Sequence, residues 1–184
     1  MRDNKGITLI ELIIVIAIIG VLVVAFGFSF QGWVDSYETE REIKEMHVDL
    51  MNARARAMQR NRTHFVGLTA TQYTIQEDIN PWPDGDGLLT ANDNIRPSGY
   101  NEPIPLIQKD LNTQYPITWS DLSDVQIVFT KRGLSNDTKT ICSNTDIDAD
   151  YNCIEISASR INLGKLTTKI PDGGACGAAN CVSK

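Results

Sequence analysis

Residues 7–30 form an apolar run broken by a single charge, Glu11, and no other feature narrows the fold as much. About 24 residues at 1.5 Å each make a helix of roughly 36 Å, longer than a bilayer hydrocarbon core of about 30 Å. A lone segment in lipid must pair its backbone groups internally, so the run is expected to be helical. Arg2 and Lys5 precede it, and Asp35, Glu38, Glu40 and Glu42 follow it, which places the short amino end in the cytoplasm and the rest of the chain outside. A cleaved secretory signal needs a shorter run closing on an A-x-A site, and Ala25, Phe26 and Gly27 match that poorly.

Glu11 is costly where it stands. A carboxylate at membrane depth costs from about 2.5 kcal/mol upward, and such groups are usually paired and functional. A cut between Gly6 and Ile7 would free an α-amino group on Ile7, one helical turn from Glu11. The plainer reading has Glu11 reaching the headgroup region.

Past Phe30 the pattern turns amphipathic. Ile43, Met46, Leu50, Ala53 and Ala57 recur at spacings of three and four, with charged residues on the other faces. The helix is expected from Ile7 to Asn61, since Thr63, Phe65 and Val66 favour strand. Arg54, Arg56, Arg60 and Arg62 lack interleaved aromatics and read as a solvated helix face rather than a nucleic-acid patch. A net charge of −6 points the same way, because phosphate-backbone binding wants a basic surface, so no nucleic-acid partner is expected.

Strand-like stretches follow: THFVGL, QYTIQ, VQIVFTK, KTICS and CIEISASRINLGKLT. Val125, Ile127 and Phe129 alternate on one face, as do Ile154, Ile156 and Ala158, and a hairpin turn is expected near Gly164. Pro103, Pro105 and Pro116 make the segment between them irregular or edge strand. The acidic stretch DINPWPDGDGLLTANDN is a turn-rich loop. Calcium is its alternative, with Asp84, Asp86 and Asp93 as ligands, but Trp82 falls at the first ligand position and cannot ligate.

The four cysteines, Cys142, Cys153, Cys176 and Cys181, contain no C-x-x-C pair and lie far from His47 and His64, so zinc is a poor fit and two disulfides in an oxidising compartment a good one. Three connectivities satisfy four cysteines, and pairing of neighbours, Cys142 with Cys153 and Cys176 with Cys181, is the simplest. No G-x-S-x-G, H-E-x-x-H, Walker loop or dinucleotide fingerprint is present, so neither an enzyme nor a cofactor is expected.

KGITLIELIIVIAIIG closely resembles the processing signal of type IV pilins and type II secretion pseudopilins: a short basic leader, a glycine, a hydrophobic residue, then T-L-I-E-L. Ile7 stands where that family usually has Phe. DLMNARARAMQRN and the stretch from IVFTKRGLSN to CIEISASRINLGK resemble the GspH/FimT-like minor pilin group. The resemblance implies an α+β, type IV pilin-like fold, with a long amino-terminal helical spine on a small antiparallel β-sheet head. Its expected divisions are a leader at 1–6, a transmembrane or filament-core helix at 7–30, an amphipathic continuation at 31–61 and a β-rich periplasmic or extracellular head at 62–184. It implies cleavage between Gly6 and Ile7 by a prepilin peptidase, N-methylation of Ile7, and contact of Glu11 with the amino terminus of a neighbouring subunit. Residence would be single-pass in the bacterial inner membrane, before an assembly platform moves the subunit into a filament with other pilins or pseudopilins. A tip-located binding pilin, serving adhesion or DNA capture through loops at 81–101 or 143–152, is the alternative.

Overall fold

A computed structural model describes the protein over residues 7–135 and 137–184, with the backbone alone at 25–29. One helix, α1 (Leu9–Arg60), accounts for 52 residues and is about 78 Å long. Thr8 is its N-cap, with Oγ1 accepting from the Glu11 N–H at 3.3 Å, and Glu11 lies in the first turn, where a carboxylate complements the helix dipole. At the other end Asn61 adopts φ 54°, and both its N–H and that of Arg62 return to the Ala57 carbonyl. Asn is among the few residues that tolerate this left-handed turn, which is why the helix stops there.

Among the described residues nine strands follow: β1 (His64–Thr69), β2 (Gln72–Glu77), β3 (Ile107–Asp110), β4 (Ile117–Trp119), β5 (Gln126–Phe129), β6 (Lys139–Ser143), β7 (Cys153–Ile156), β8 (Ile161–Leu166) and β9 (Cys181–Ser183). They form two antiparallel sheets, ordered β3-β2-β1-β5 and β4-β6-β7-β8-β9. The proline-bordered strands β3 and β4 are both edges, where a missing N–H costs no ladder bond. Lys139, almost fully buried on β6, donates from Nζ to the carbonyls of Asp124 and Gln126 at 2.7 and 2.6 Å and so ties the second sheet to the first.

The core lies between α1 and the sheets. Ile43, Met46, Leu50, Ala53 and Ala57 pack with Val66, Tyr73, Ile75, Ile127, Phe129, Ile141, Ile154 and Ile156. Alternation along the strands does this: Ile141 and Ile154 face the helix, whereas Cys142 and Cys153 belong to a second cluster with Leu166 and Cys181.

Three expectations need correction. The hairpin between β7 and β8 turns at residues 157–160, closed by the Ser157 N–H on the Arg160 carbonyl at 2.9 Å. Gly164 sits inside β8, between Cys153 and Ser183. A Cβ there would stand 2.7 Å from the Val182 carbonyl oxygen, so the glycine permits close strand approach rather than a turn. Val125 and Ala158 are exposed, because β5 and β7 begin and end one or two residues short of them.

Candidate assembly surface

The head grips only the second part of the helix. Its first polar contacts come at Asp35 and Ser36: Tyr115 donates to Asp35 Oδ1 at 3.0 Å, and the Ser36 hydroxyl donates to the Asp148 carbonyl at 3.1 Å. Above them the seam is flanked by the Asn112 N–H on Glu42, Lys109 on Glu45, and Tyr73 on Asp49 at 2.6 Å. Burial raises the Glu42 pKa from its ordinary carboxylate value, and burial beside Asp49 holds the Tyr73 phenol protonated. The arginines expected to be solvated also make polar contacts with the head, Arg56 while remaining exposed. Arg54 donates to the Ser159 carbonyl at 2.7 Å, Arg56 pairs with Glu102, and Arg60 and Arg62 converge on Glu77.

Among the described side chains, residues 7–24 and 30–33 are all exposed. Ile7, Leu9 and Ile10 are 76%, 75% and 68% exposed, and every described residue through Val24 is open. Phe30, Trp33 and Tyr37 then form an aromatic ladder, with centroids 5.8 and 6.2 Å apart, where the apolar run gives way to charge. Aromatic residues favour such a boundary between apolar and aqueous surroundings. An unpartnered apolar surface of this extent marks a membrane or protein contact. Among the described residues no helix is long and apolar enough to cross a membrane. Ile7 and Glu11 are exposed at the tip of this rod, and Gly6 lies outside the described residues.

The cysteines form Cys142–Cys176 and Cys153–Cys181, not the neighbour pairs. β6 and β7 place Cys142 directly opposite Cys153, so both sulfurs emerge on the face away from the helix. There each captures a cysteine of the carboxy-terminal hook, which folds back so that β9 pairs with β8. The bridges close separations of 34 and 28 residues. Replacing Cys153 and Cys181 together by alanine is expected to lower the unfolding free energy by about 3 kcal/mol, measured by urea unfolding of the full chain in zwitterionic detergent. A loss below about 1 kcal/mol would show that closure of this loop contributes little.

The turn-rich loop is organised by two carboxylates that accept from backbone N–H groups. Asp78 accepts from the Asp86 and Gly87 N–H groups, and burial raises its pKa. Asp93, fully buried, accepts from the N–H groups of Ile79, Asn80 and Thr90. Asp86 accepts from the Leu88 N–H, and Asp84 is exposed. The calcium alternative on Asp84, Asp86 and Asp93 is therefore not assembled; among the described residues no group of three or more His, Cys, Asp or Glu is placed to hold a metal. Gly85, at φ 72°, closes over Asp78, where a Cβ would meet the carboxylate at 2.2 Å.

The family model for the prokaryotic N-terminal methylation motif matches residues 1–27, and that for type II transport protein GspH matches residues 42–160. Two crystal structures of the type IV minor pilin FimU of Pseudomonas aeruginosa are similar to the chain. The first shows 18% identity and a TM-score of 0.48 over 71% of this chain and 91% of that one. The second shows 20% identity and 0.44 over 66% and 88%. No curated protein matches significantly. A helical spine on antiparallel sheets, behind a methylation motif, defines a structural subunit of the pilin and pseudopilin class. Within that class the chain belongs to the GspH family.

Proposed function

We propose that the chain is made as a precursor and matures by loss of residues 1–6, through prepilin peptidase cleavage between Gly6 and Ile7 and N-methylation of Ile7. Residues 7–30 then anchor it across the bacterial inner membrane, with the head at 62–184 on the periplasmic side and residues 31–61 as the continuous stem. From there the assembly platform moves it into a type IV pilus or type II secretion pseudopilus, or it primes such a filament among other pilin subunits.

The bare apolar half of α1 carries this reading. In water that surface is unfavourable at about 25 cal/mol per Å², and lipid tails and neighbouring helices are the two environments that relieve it. The chain meets one before assembly and the other after. The helix begins immediately beyond the cut, so the new amino group sits at the N-cap end with Glu11 one turn away. That acid offsets the unfavourable placement of a cation at a helix amino terminus.

Mass spectrometry of the protein from its native host is the test. The expected mature chain begins at Ile7 and is heavier by the one CH2 that N-methylation adds. A chain beginning at Met1, or downstream of Glu11, removes the basis for the proposal.

A further inference from the structure

The pole of the head where α1 ends holds a cleft of about 340 Å³, lined by Arg60, Arg62, Trp82, Tyr100, Asn101 and Glu102. Its walls are fixed from behind. Arg62 and Arg60 donate to the buried Glu77 at 2.8 and 3.4 Å, and the Tyr100 hydroxyl donates to the same carboxylate at 2.8 Å. Arg60 also donates to Glu102 at 2.6 Å. The Arg62 guanidinium lies 4.3 Å from the Trp82 ring centroid, and Tyr100 meets the indole edge-on at 5.9 Å. The loop presenting Trp82 is held by hydrogen bonds from the Gly87 N–H to Asp78 and from the Ile79 N–H to Asp93. Although flanked on two sides, Trp82 remains 42% exposed.

We propose that this cleft binds a pyranose residue of a neutral saccharide. Its polar groups combine donors and acceptors around one space: guanidinium groups that only donate, the Glu102 carboxylate that only accepts and is itself paired with Arg60, and the Asn101 amide that does both. A hydroxyl-rich ligand both donates and accepts, and so uses all of them. The indole offers an apolar surface for the C–H side of a sugar ring. A free anion is a poorer match, because Glu102 stands in the cleft and Glu77 already takes both arginines. A nucleic-acid strand is poorer for the same reason: stacking platforms for bases work beside an unneutralised basic groove. An apolar ligand would strand the charged groups without water. This inference is independent of the assembly reading, and its failure would leave that reading intact.

The test uses the full chain in zwitterionic detergent, since a glucoside or maltoside head group would compete. Saturation-transfer NMR is recorded with D-glucose, D-galactose and N-acetyl-D-glucosamine as probes. Saturable binding of at least one is expected, abolished in Trp82→Ala and weakened about tenfold in Glu102→Gln, as for removal of the charge from a charge-assisted hydrogen bond. Circular dichroism checks that each variant is folded; if Trp82→Ala is not, Glu102→Gln decides. The proposal is overturned by no saturable response from the three sugars, by an undiminished response in a folded variant, or by salt-sensitive binding of a thymidine oligonucleotide in place of any sugar.

Discussion

Glu77→Ala is expected to destabilise the head by about 4 kcal/mol, a large share of the 5–15 kcal/mol that typically holds a domain together. The Glu77 side chain is fully buried and accepts from Arg62, Arg60 and Tyr100. Arg62 is the vulnerable partner, with 13% side-chain exposure and no other carboxylate within reach among the described residues. Removing Glu77 leaves that guanidinium largely desolvated and the Tyr100 hydroxyl without an acceptor, and breaking a buried pair from one side costs about 3–5 kcal/mol. Arg60 suffers less, because it is a third exposed and keeps Glu102. Removing both ends of the main pair should be milder. Glu77→Leu with Arg62→Met is expected to lose about 2 kcal/mol less than Glu77→Ala alone. Urea unfolding of the full-length variants, followed by circular dichroism, measures both. A loss under about 1 kcal/mol for Glu77→Ala would show that the network is solvated and not a structural centre.

None of that network was visible in the linear pattern. Arg60 and Arg62 read as members of a solvated basic string, and Glu77 falls between the strand-like QYTIQ and the turn-rich loop with no pattern of its own. What joins them is register: β1 and β2 pair His64 with Glu77, so the residues just past the helix end fold over the end of β2. A long-range pairing of that kind has no local signature. The buried His64 ring in the same register keeps its pKa lowered by burial, another consequence that spacing alone does not announce.

The helix and most strands were legible because their signals are periodic. Ile43, Met46, Leu50, Ala53 and Ala57 repeat every three or four residues and all five are buried. The glycine at 164 misled because glycine marks both turns and tight strand approach, and only the neighbouring Val182 backbone distinguishes the two. The disulfides illustrate the same limit. Strand alternation puts Cys142 and Cys153 on one face, but the partner of each depends on where the hook at 167–184 returns, which is a tertiary matter. Asp93 carried acidity that suggested a cation, yet backbone N–H groups took its oxygens.

Glu11→Ala is expected to reduce incorporation into filaments at least tenfold while membrane levels of the subunit stay unchanged. The bare rod of α1 is uniform in character: Ile, Leu and Val side chains on all sides, offering many staggers of nearly equal energy to a neighbouring helix. Van der Waals packing between such surfaces is weakly selective. A single carboxylate is not, because one stagger gives it the amino terminus of the adjacent subunit and every other stagger leaves it unpaired in apolar surroundings, at about 2.5 kcal/mol or more. That difference corresponds to a factor of at least about ten per joining event. Alanine removes the penalty for wrong staggers together with the reward for the right one, so the subunit should insert in the membrane as before and fail only on joining. Glu11→Gln separates charge from hydrogen bonding: the amide can still accept from an ammonium group but brings no charge, and its incorporation is expected to fall between the other two. Immunoblots of sheared filaments, normalised to the membrane pool, provide the measurement. Incorporation of Glu11→Ala at the unsubstituted level would mean that the rod finds its register by shape alone and that Glu11 serves only the first turn of its own helix.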